Sequence, residues 1–332
     1  MKYRVLNNFK FRLFCLGITL AITQANNAQQ LPLYSQYMMN RFLVNPAVAG
    51  SEGYTAINLT AREQWIGFKD APKTHAVSAQ TRILRNSFIS KSASIRKRRR
   101  SSTRSGKVGL GAYLFNDQTG LINRTGFQAT YAYHIFLGKG QLSFGLSGTA
   151  CQFRVDQEKL RLYEGSDELL LNLNASMIIP DAHVGVYYSD PRLYVGLSAS
   201  QLFQSALRFG NKGYDTYRLL RQYDLIFGYN IPVNDYIIVE PSLLLKTNEK
   251  LSTQLDIGTK MYFYENYWAG LAYRTGGAAI AMAGVRVDKF FFGYAFDYSI
   301  SSIMKHTFGS HEFMFAIKFG DSARRYRWLI RY

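Results

Sequence analysis

From residue 53 onward, apolar and polar residues alternate along the chain with a period of two. In one clear example, aromatic residues fall on one face and small or polar residues on the other: Phe292, Tyr294, Phe296 and Tyr298 oppose Gly293, Ala295, Asp297 and Ser299. Successive side chains of a β-strand point to opposite faces, so this alternation predicts strands. Helical spacing is scarce, and the pattern therefore predicts an all-β fold.

Fourteen segments of about ten residues carry this pattern. In order, they are 53–63, 74–83, 106–116, 121–136, 140–153, 181–189, 191–201, 216–230, 236–246, 251–263, 266–274, 277–287, 289–300 and 310–319. An even number of strands is typical of single-chain bacterial transmembrane barrels.

The polar face of these segments distinguishes two architectures. A soluble β-sandwich would expose many charged residues and threonines on that face, whereas here it is rich in Gly, Ser and Ala. Aromatic residues also flank aliphatic ones, as Tyr267 and Tyr273 flank Ala269 and Leu271, in the manner of the interfacial girdles of membrane barrels. We therefore predict one antiparallel transmembrane β-barrel of about 14 strands, at residues 53–320, in the outer membrane of a Gram-negative bacterium.

The connections predict how the barrel is oriented. Links such as 138–140 and 190–191 are tight, whereas the alternate links include the long stretches 154–180 and 202–215. Outer-membrane barrels have short periplasmic turns and longer extracellular loops. On this basis, we expect residues 29–52 to form an N-terminal periplasmic segment and residues 321–332 to form a basic periplasmic tail.

Residues 1–28 have the layout of a secretory signal peptide, with a basic start, an apolar run and small residues at Ala25 and Ala28. A buried N-terminal helix is the alternative, but it would give the basic flank no role. Cleavage after Ala25 or Ala28 removes Cys15 and leaves Cys151 alone, which excludes an internal disulfide. No later stretch approaches 18 continuous apolar residues, which excludes a helical membrane span after the signal.

Composition agrees with a strand-rich chain and raises one further question. Aromatic residues make up 15% of the 332 residues, with 24 Tyr and 23 Phe, and Gly (27) far outnumbers Pro (7). The formal net charge is +18. Four of these charges leave with the signal, and most of the rest concentrate in the loop 84–105 and the tail. The candidate partner contacts there are Arg96, Lys97, Arg98, Arg99, Arg100, Arg104, Arg324, Arg325 and Arg327.

Such basic clusters attract an anionic partner. In a periplasmic location this would be anionic lipid, cell-wall carboxylates or an acidic protein surface, while nucleic acid is disfavoured because exported chains rarely meet it. A solvated flexible loop is the other interpretation.

Candidate chemistry is sparse. No histidine shares metal-ligand spacing with another histidine or with a cysteine. Ser310-His311-Glu312 resembles a catalytic set in composition only, since His311 faces away from its neighbours on a strand. We therefore expect no catalytic, metal-binding or cofactor-binding residues and no enzyme activity. On the inner face, four charged residues could line an open pore or form a network that closes it: Arg274, Asp297, Glu312 and Lys318.

A succession of short motifs resembles the PorP/SprF family of the type IX secretion and gliding machinery. The motifs, in order, are Tyr34-Ser35-Gln36-Tyr37-Met38-Met39-Asn40, Asn45-Pro46-Ala47-Val48-Ala49-Gly50, Arg62-Glu63-Gln64-Trp65-Ile66-Gly67 and Gly309-Ser310-His311-Glu312-Phe313. The Arg-rich insert at 96–100 and the basic tail depart from the family pattern.

The resemblance implies an outer-membrane protein that assists export or surface attachment of a secreted cargo with a type IX C-terminal domain, such as a gliding adhesin. It also implies a link to periplasmic type IX components or a peptidoglycan-binding protein. Cargo would meet the long loops, where the candidate contacts are Trp65, Phe68 and Tyr163, and outer-membrane lipid would surround the wall. The alternative function is a passive channel for a small solute.

Overall fold

A computed structural model gives the structure of the chain. It describes residues 32–83, 107–156, 176–204, 206–208, 216–264, 266–300 and 307–319. The predicted signal peptide, the loop 84–105 and the tail 321–332 lie outside these residues.

Most of the described residues are in β-strands. In chain order, the strands are β1 (Thr55–Glu63), β2 (Lys73–Ile83), β3 (Val108–Thr119), β4 (Ile122–Leu137), β5 (Gly140–Val155), β6 (Ser176–Ser189), β7 (Leu193–Ser200), β8 (Ala206–Arg208), β9 (Thr216–Arg218), β10 (Gln222–Tyr229), β11 (Ile231–Asn234), β12 (Ile237–Asn248), β13 (Thr253–Phe263), β14 (Tyr267–Arg274), β15 (Ala278–Val287), β16 (Phe290–Ser299) and β17 (Ser310–Phe319). Two short 3₁₀ turns, Arg41–Leu43 and Pro46–Val48, precede them.

One antiparallel sheet closes on itself to form the barrel. The first and last strands, β1 and β17, pair along their length, and β10 pairs with both β7 and β12. Since β11 continues β10 past Asn230 and pairs only with β12 among the described residues, the wall has 14 strands. The short β8–β9 hairpin stands apart from the wall. The predicted single 14-stranded barrel is confirmed.

Every predicted segment overlaps one wall strand, and two boundaries differ clearly. The segment 216–230 reaches the wall only at Gln222, because Thr216–Arg218 pairs with Ala206–Arg208 in the separate hairpin. The segment predicted at 181–189 begins earlier, at Ser176, and Pro180 lies within the strand opposite Ala150.

The outer wall is apolar. On β14, for example, Tyr267, Leu271 and Tyr273 are 50–71% exposed, whereas the alternate residue Trp268 is 3% exposed. Outward apolar and inward polar residues are the arrangement of a barrel whose outer surface meets lipid. No helix among the described residues is long and apolar enough to cross a membrane.

The two ends of the barrel differ in the length of their connections. At one end, called here the short-turn end, the described links are two or three residues long: 138–139, 190–192, 235–236 and 288–289. At the other, the long-loop end, the described or partly described links include 64–72 and 201–221, although Gly120-Leu121 is also tight. Short turns face the periplasm in outer-membrane barrels, so we expect the long-loop end to face the exterior.

The core of the molecule is a segment of the chain that fills the barrel. Residues 33–52, called here the plug, lie inside the ring of strands. Their most deeply buried side chains are at most 2% exposed: Tyr37, Met38, Phe42, Ala47, Val48 and Ala49. The expectation that residues 29–52 form a periplasmic segment is therefore wrong for this stretch. The wall surrounds the plug on all sides, so apolar and polar residues do not alternate along it. The sequence pattern therefore could not predict that this stretch lies inside the barrel.

Candidate functional site

The plug runs the length of the lumen from the long-loop end to the short-turn end. Ser35 contacts Arg62 near the end of β1, and the Asn40 amide donates to Ser78 Oγ in the middle of β2 at 2.9 Å. At the far end, the Gly50 carbonyl accepts a 2.8 Å hydrogen bond from Arg82. The N-terminal end of the plug therefore lies at the long-loop end, and its C-terminal end leads directly into β1.

A buried charge network holds the outer end of the plug. Arg62 donates to Asp297 at 2.7 Å and to Glu312 at 3.1 Å, and Arg274 pairs with Asp256 at 2.8 Å and with Asp297 at 3.3 Å. All five side chains are at most 8% exposed. Buried ion pairs of this kind are stable in a low-dielectric interior only while every member keeps its partner.

The plug completes this network with its own polar groups. The Ser35 and Gln36 backbone N–H groups donate to the two carboxylate oxygens of Glu312 at 2.7 and 2.9 Å. The Ser35 hydroxyl donates to Asp297 at 2.7 Å. Charge-assisted hydrogen bonds are stronger than neutral ones, so these contacts fix the height of the plug in the lumen.

A second cluster surrounds Glu240 nearer the short-turn end. Its carboxylate pairs with Lys260 at 3.1 Å and with Arg41 of the plug at 3.5 Å. The hydroxyls of Tyr194 and Tyr262 donate to the same carboxylate at 2.8 and 3.2 Å. The Arg41 guanidinium also lies 3.8 Å above the Tyr194 ring, a favourable cation–π geometry. The plug residue Arg41 therefore supplies one of the two positive charges that pair with Glu240 of the wall.

Glycines on the wall make room for the backbone of the plug. A Cβ atom added to Gly145 would lie 2.2 Å from Ala47 N, one added to Gly109 would lie 1.9 Å from Ala49 O, and one added to Gly185 would lie 2.1 Å from Asn45 Oδ1. Real Cβ atoms do not approach other atoms so closely, so the glycines let the backbone of the wall contact the plug directly. The polar face of the strands is rich in such small residues, and at these three positions they pack against the plug.

Asn45, Pro46 and Ala47, part of one of the family-like motifs, form a turn inside the lumen. The side-chain oxygen Oδ1 of Asn45 caps it by accepting the Ala47 N–H at 2.9 Å. The Asn45 amide donates to the backbone carbonyls of Val186 and Leu197, each at 3.0 Å. One side chain therefore ties the plug to β6 and β7.

Among the four predicted lumen residues, Arg274, Asp297 and Glu312 meet in the network at the outer end, and Lys318 lies apart, 3.9 Å from Glu52. All four face inward as predicted. Of the two alternatives, an open pore or a network that closes it, the structure shows the network, and Ala47 and Ala49 are 0% exposed in the lumen.

The first outer loop, residues 64–72, is firmly held to the last one. Trp65 N–H donates to Ser310 Oγ at 3.1 Å, Ile66 N–H to Gly309 O at 2.9 Å, and Phe308 N–H to Ile66 O at 2.8 Å. Trp65 is half-buried, and Phe68 is 40% exposed. The structure places both residues at the long-loop end. Tyr163 and all nine basic candidates lie outside the described residues.

Two of the described histidines, His134 and His311, make hydrogen bonds within the fold. His134 is buried between Ser143 Oγ at 2.8 Å and the plug carbonyl of Ala49 at 3.1 Å, and His311 contacts the Tyr294 hydroxyl at 2.7 Å. Within the described ranges, no group of three or more His, Cys, Asp or Glu residues could hold a metal ion.

Comparisons with solved structures give distant likenesses to barrels. The chain is similar to the toluene transporter TbuX of Ralstonia pickettii at 10% identity and a TM-score of 0.47, over 85% of this chain and 92% of that one. It is similar to Omp33 of Acinetobacter baumannii at 6% identity and a TM-score of 0.43, over 81% and 99%. These values are too low to carry an argument about function. A search of curated proteins finds no match.

The family comparison is more informative. The family described as type IX secretion system membrane protein PorP/SprF matches residues 26–317. The match includes the plug and nearly the whole wall, as the resemblance of the motifs predicted. A closed barrel with an apolar outer wall is also the form in which strands cross the outer membrane. The chain therefore belongs to the PorP/SprF family of type IX secretion system membrane proteins, and it is an outer-membrane protein.

Proposed function

We propose that this barrel is a non-enzymatic accessory of type IX secretion that helps to export or surface-attach a cargo protein and links it to periplasmic components. Family membership supports the secretion role. The proposed cargo carries a type IX C-terminal domain, as a gliding adhesin would. In this role one end of the barrel contacts the cargo and the other contacts periplasmic partners.

The plug is the observation that favours this role over a passive channel for a small solute. Plug side chains with 0–2% exposure fill the lumen, and two charge clusters and a set of wall glycines hold them in place. A solute would have to displace groups that are paired with buried charges, which is costly. A closed barrel instead offers a rigid platform for other proteins.

The long-loop end is the proposed cargo surface. Hydrogen bonds between the loop 64–72 and residues 307–310 hold that surface rigid. Phe68 and Phe308 project from it and are 40% and 78% exposed. Exposed aromatic side chains on a rigid support are typical anchors of protein interfaces. Tyr163, which lies between β5 and β6 in the chain and outside the described residues, remains a candidate contact.

The basic loop 84–105 and the tail 321–332 are the proposed periplasmic contacts. Arginine and lysine there would bind carboxylates of a partner through charge-assisted hydrogen bonds. Replacement of Arg96, Lys97, Arg98, Arg99 and Arg100 by Ser should leave the barrel folded and weaken the recovery of periplasmic partners in pull-downs. Unchanged recovery would contradict this part of the proposal.

The cargo role is tested by deleting the gene and measuring the surface-attached cargo on intact cells. Wild-type protein should restore the cargo, and the double variant Phe68→Ser/Phe308→Ser should restore less than half of it at equal barrel abundance. Leu251→Ser, at an exposed position in a different outer loop, is the matched control and should restore it fully. Cargo display that does not depend on the gene at all would contradict the proposal.

A further inference from the structure

Two positively charged side chains meet on one aromatic ring at the short-turn end of the lumen. Phe291 of β16 points inward, because Gly293 on the same face of the strand contacts the plug. Lys318 Nζ lies 4.6 Å from the centre of the Phe291 ring, and Arg286 Cζ lies 5.4 Å from it. The Tyr54 ring lies 5.2 Å from the same Lys318 nitrogen. Cations of β15 and β17 therefore share the ring of the strand between them. Arg286, Phe291 and Lys318 are called here the mouth cluster.

The two cations of the mouth cluster have few acceptors. Among the described residues, the carboxylate within 4 Å of Lys318 Nζ is that of Glu52, at 3.9 Å, which is too long for a hydrogen bond. Arg286 donates its Nε–H to the backbone carbonyl of Asp288 at 3.0 Å and forms no ion pair with a described residue. Enclosed lysines and arginines normally have a charged partner, and Lys318 is only 15% exposed. The cluster therefore lacks a carboxylate that bridges its two cations.

The surrounding part of the lumen is also positive. At the short-turn end, five cations and two carboxylates of the described wall and plug point inward. They are Arg41, Arg82, Lys260, Arg286 and Lys318, and Glu52 and Glu240. The Glu240 carboxylate is already paired with Lys260 and Arg41, and the buried Nε of Arg41 has no acceptor in the described part of the chain. This end of the lumen therefore favours a further negative charge.

The chain itself has almost no negative charge to supply there. The two segments that leave the wall at the short-turn end and lie outside the described residues are 84–106 and 320–332. The first contains eight basic residues and no acidic one, and the second contains four basic residues and one acidic residue, Asp321. Both segments add positive charge to this end, so a carboxylate that compensates the mouth cluster comes from another molecule.

We propose that the mouth cluster binds a carboxylate side chain on an extended acidic segment of a periplasmic protein. The carboxylate accepts hydrogen bonds from Arg286, whose planar fork matches carboxylate geometry, and from Lys318. An apolar neighbour on the segment packs on the rings of Phe291 and Tyr54. These rings favour a protein segment over the stem peptides of the cell wall, which carry carboxylates but few large apolar side chains.

This inference rests on the proposed periplasmic link and gives that link a contact on the wall itself, in addition to the loop 84–105. The cations of the mouth cluster point inward, whereas the basic residues of the loop lie outside the wall strands in the chain. Substitutions can therefore remove one contact and leave the other, which separates a failure of the mouth cluster from a failure of the link.

The site is tested by fluorescence polarisation with the purified full-length barrel in a neutral detergent. The probe is a fluorescein-labelled peptide in which three Glu alternate with Leu, and the same peptide with Gln in place of Glu should not bind. Arg286→Gln/Lys318→Gln should weaken binding at least tenfold, since two charge-assisted hydrogen bonds are lost. Lys139→Gln/Lys289→Gln removes the same charge from exposed turn positions at the same end and should weaken it less than threefold. Equal weakening by the two pairs would overturn the site.

A second variant acts in the opposite direction. Glu52→Gln removes the carboxylate next to Lys318 and should tighten peptide binding at least twofold, whereas weaker binding would contradict the site. The tenfold loss should also persist in a barrel with Ser at residues 96–100. A loss that disappears in that background would assign the peptide to the basic loop, overturning the mouth cluster and leaving the periplasmic link intact. Tighter binding of a soluble muropeptide than of the Glu-Leu peptide would identify the cell wall as the partner and overturn the protein assignment.

Discussion

The hydroxyl group of Ser35 donates a 2.7 Å hydrogen bond to Oδ2 of Asp297, although the two residues lie near opposite ends of the chain. The same oxygen accepts hydrogen bonds from Arg62 and Arg274. The N-terminal plug is therefore part of the charge network of the wall, and the plug and the barrel form one folded unit. The stability of the wall should depend on contacts that only the plug completes.

The first prediction concerns this network. Arg62→Met leaves Asp297 and Glu312 without their main cation, and loss of one partner of a buried pair costs about 3–5 kcal/mol. Urea unfolding in detergent micelles should show a decrease of that size in the free energy of unfolding. Glu63→Gln breaks the exposed pair with Lys73 and should cost only about 0–1 kcal/mol. Similar losses in the two variants would show that the network does not stabilise the fold.

The second prediction concerns the fit of the plug against the wall. Gly145→Leu places a side chain where Ala47 N now lies, whereas Gly148→Leu on the same strand points into open space, with no atom within 4 Å of an added Cβ. Overpacking of a tight interior costs about 1–3 kcal/mol. We expect a lower melting temperature and faster protease cleavage of the plug in Gly145→Leu alone. If Gly148→Leu lowers the melting temperature and speeds cleavage as much as Gly145→Leu does, contact with the plug is not the cause of the destabilisation.

The third prediction concerns topology. Because the N-terminal end of the plug lies at the long-loop end, the mature N-terminus should lie on the exterior. In a Cys151→Ser background, Pro32→Cys should react with a membrane-impermeant maleimide on intact cells, as should Lys69→Cys in the first outer loop. Lys139→Cys, in a short turn, should react only after lysis. Labelling of Lys139→Cys but not of Pro32→Cys on intact cells would reverse the orientation.

The wall could be predicted from sequence because each strand carries its own alternation of outward apolar and inward small or polar residues. Phe292, Tyr294 and Tyr298 are exposed and Gly293 and Ala295 are buried, as the alternation requires. The strand count and the short turns followed from the same pattern.

The plug could not be predicted because its environment is not local. Tyr37, Phe42 and Asn45 are buried by strands far away in the sequence, and no period marks a segment that is enclosed on every side. The inward position of Arg274, Asp297 and Glu312 could be predicted. The hydrogen bonds that Ser35 and Gln36 of the plug donate to Asp297 and Glu312 could not. The one sequence signal was the abundance of glycine on the inner face, which fits a lumen that contains a close-packed backbone.

The central claim is that this barrel is closed by its own N-terminus and acts through its ends. Planar-bilayer conductance of the purified protein tests it most directly, with a variant that lacks residues 33–48 to show how an open lumen behaves. We predict no stable conductance steps from the wild type and discrete steps from the variant. Steady conductance from the wild type, equal to that of the variant, would contradict the account.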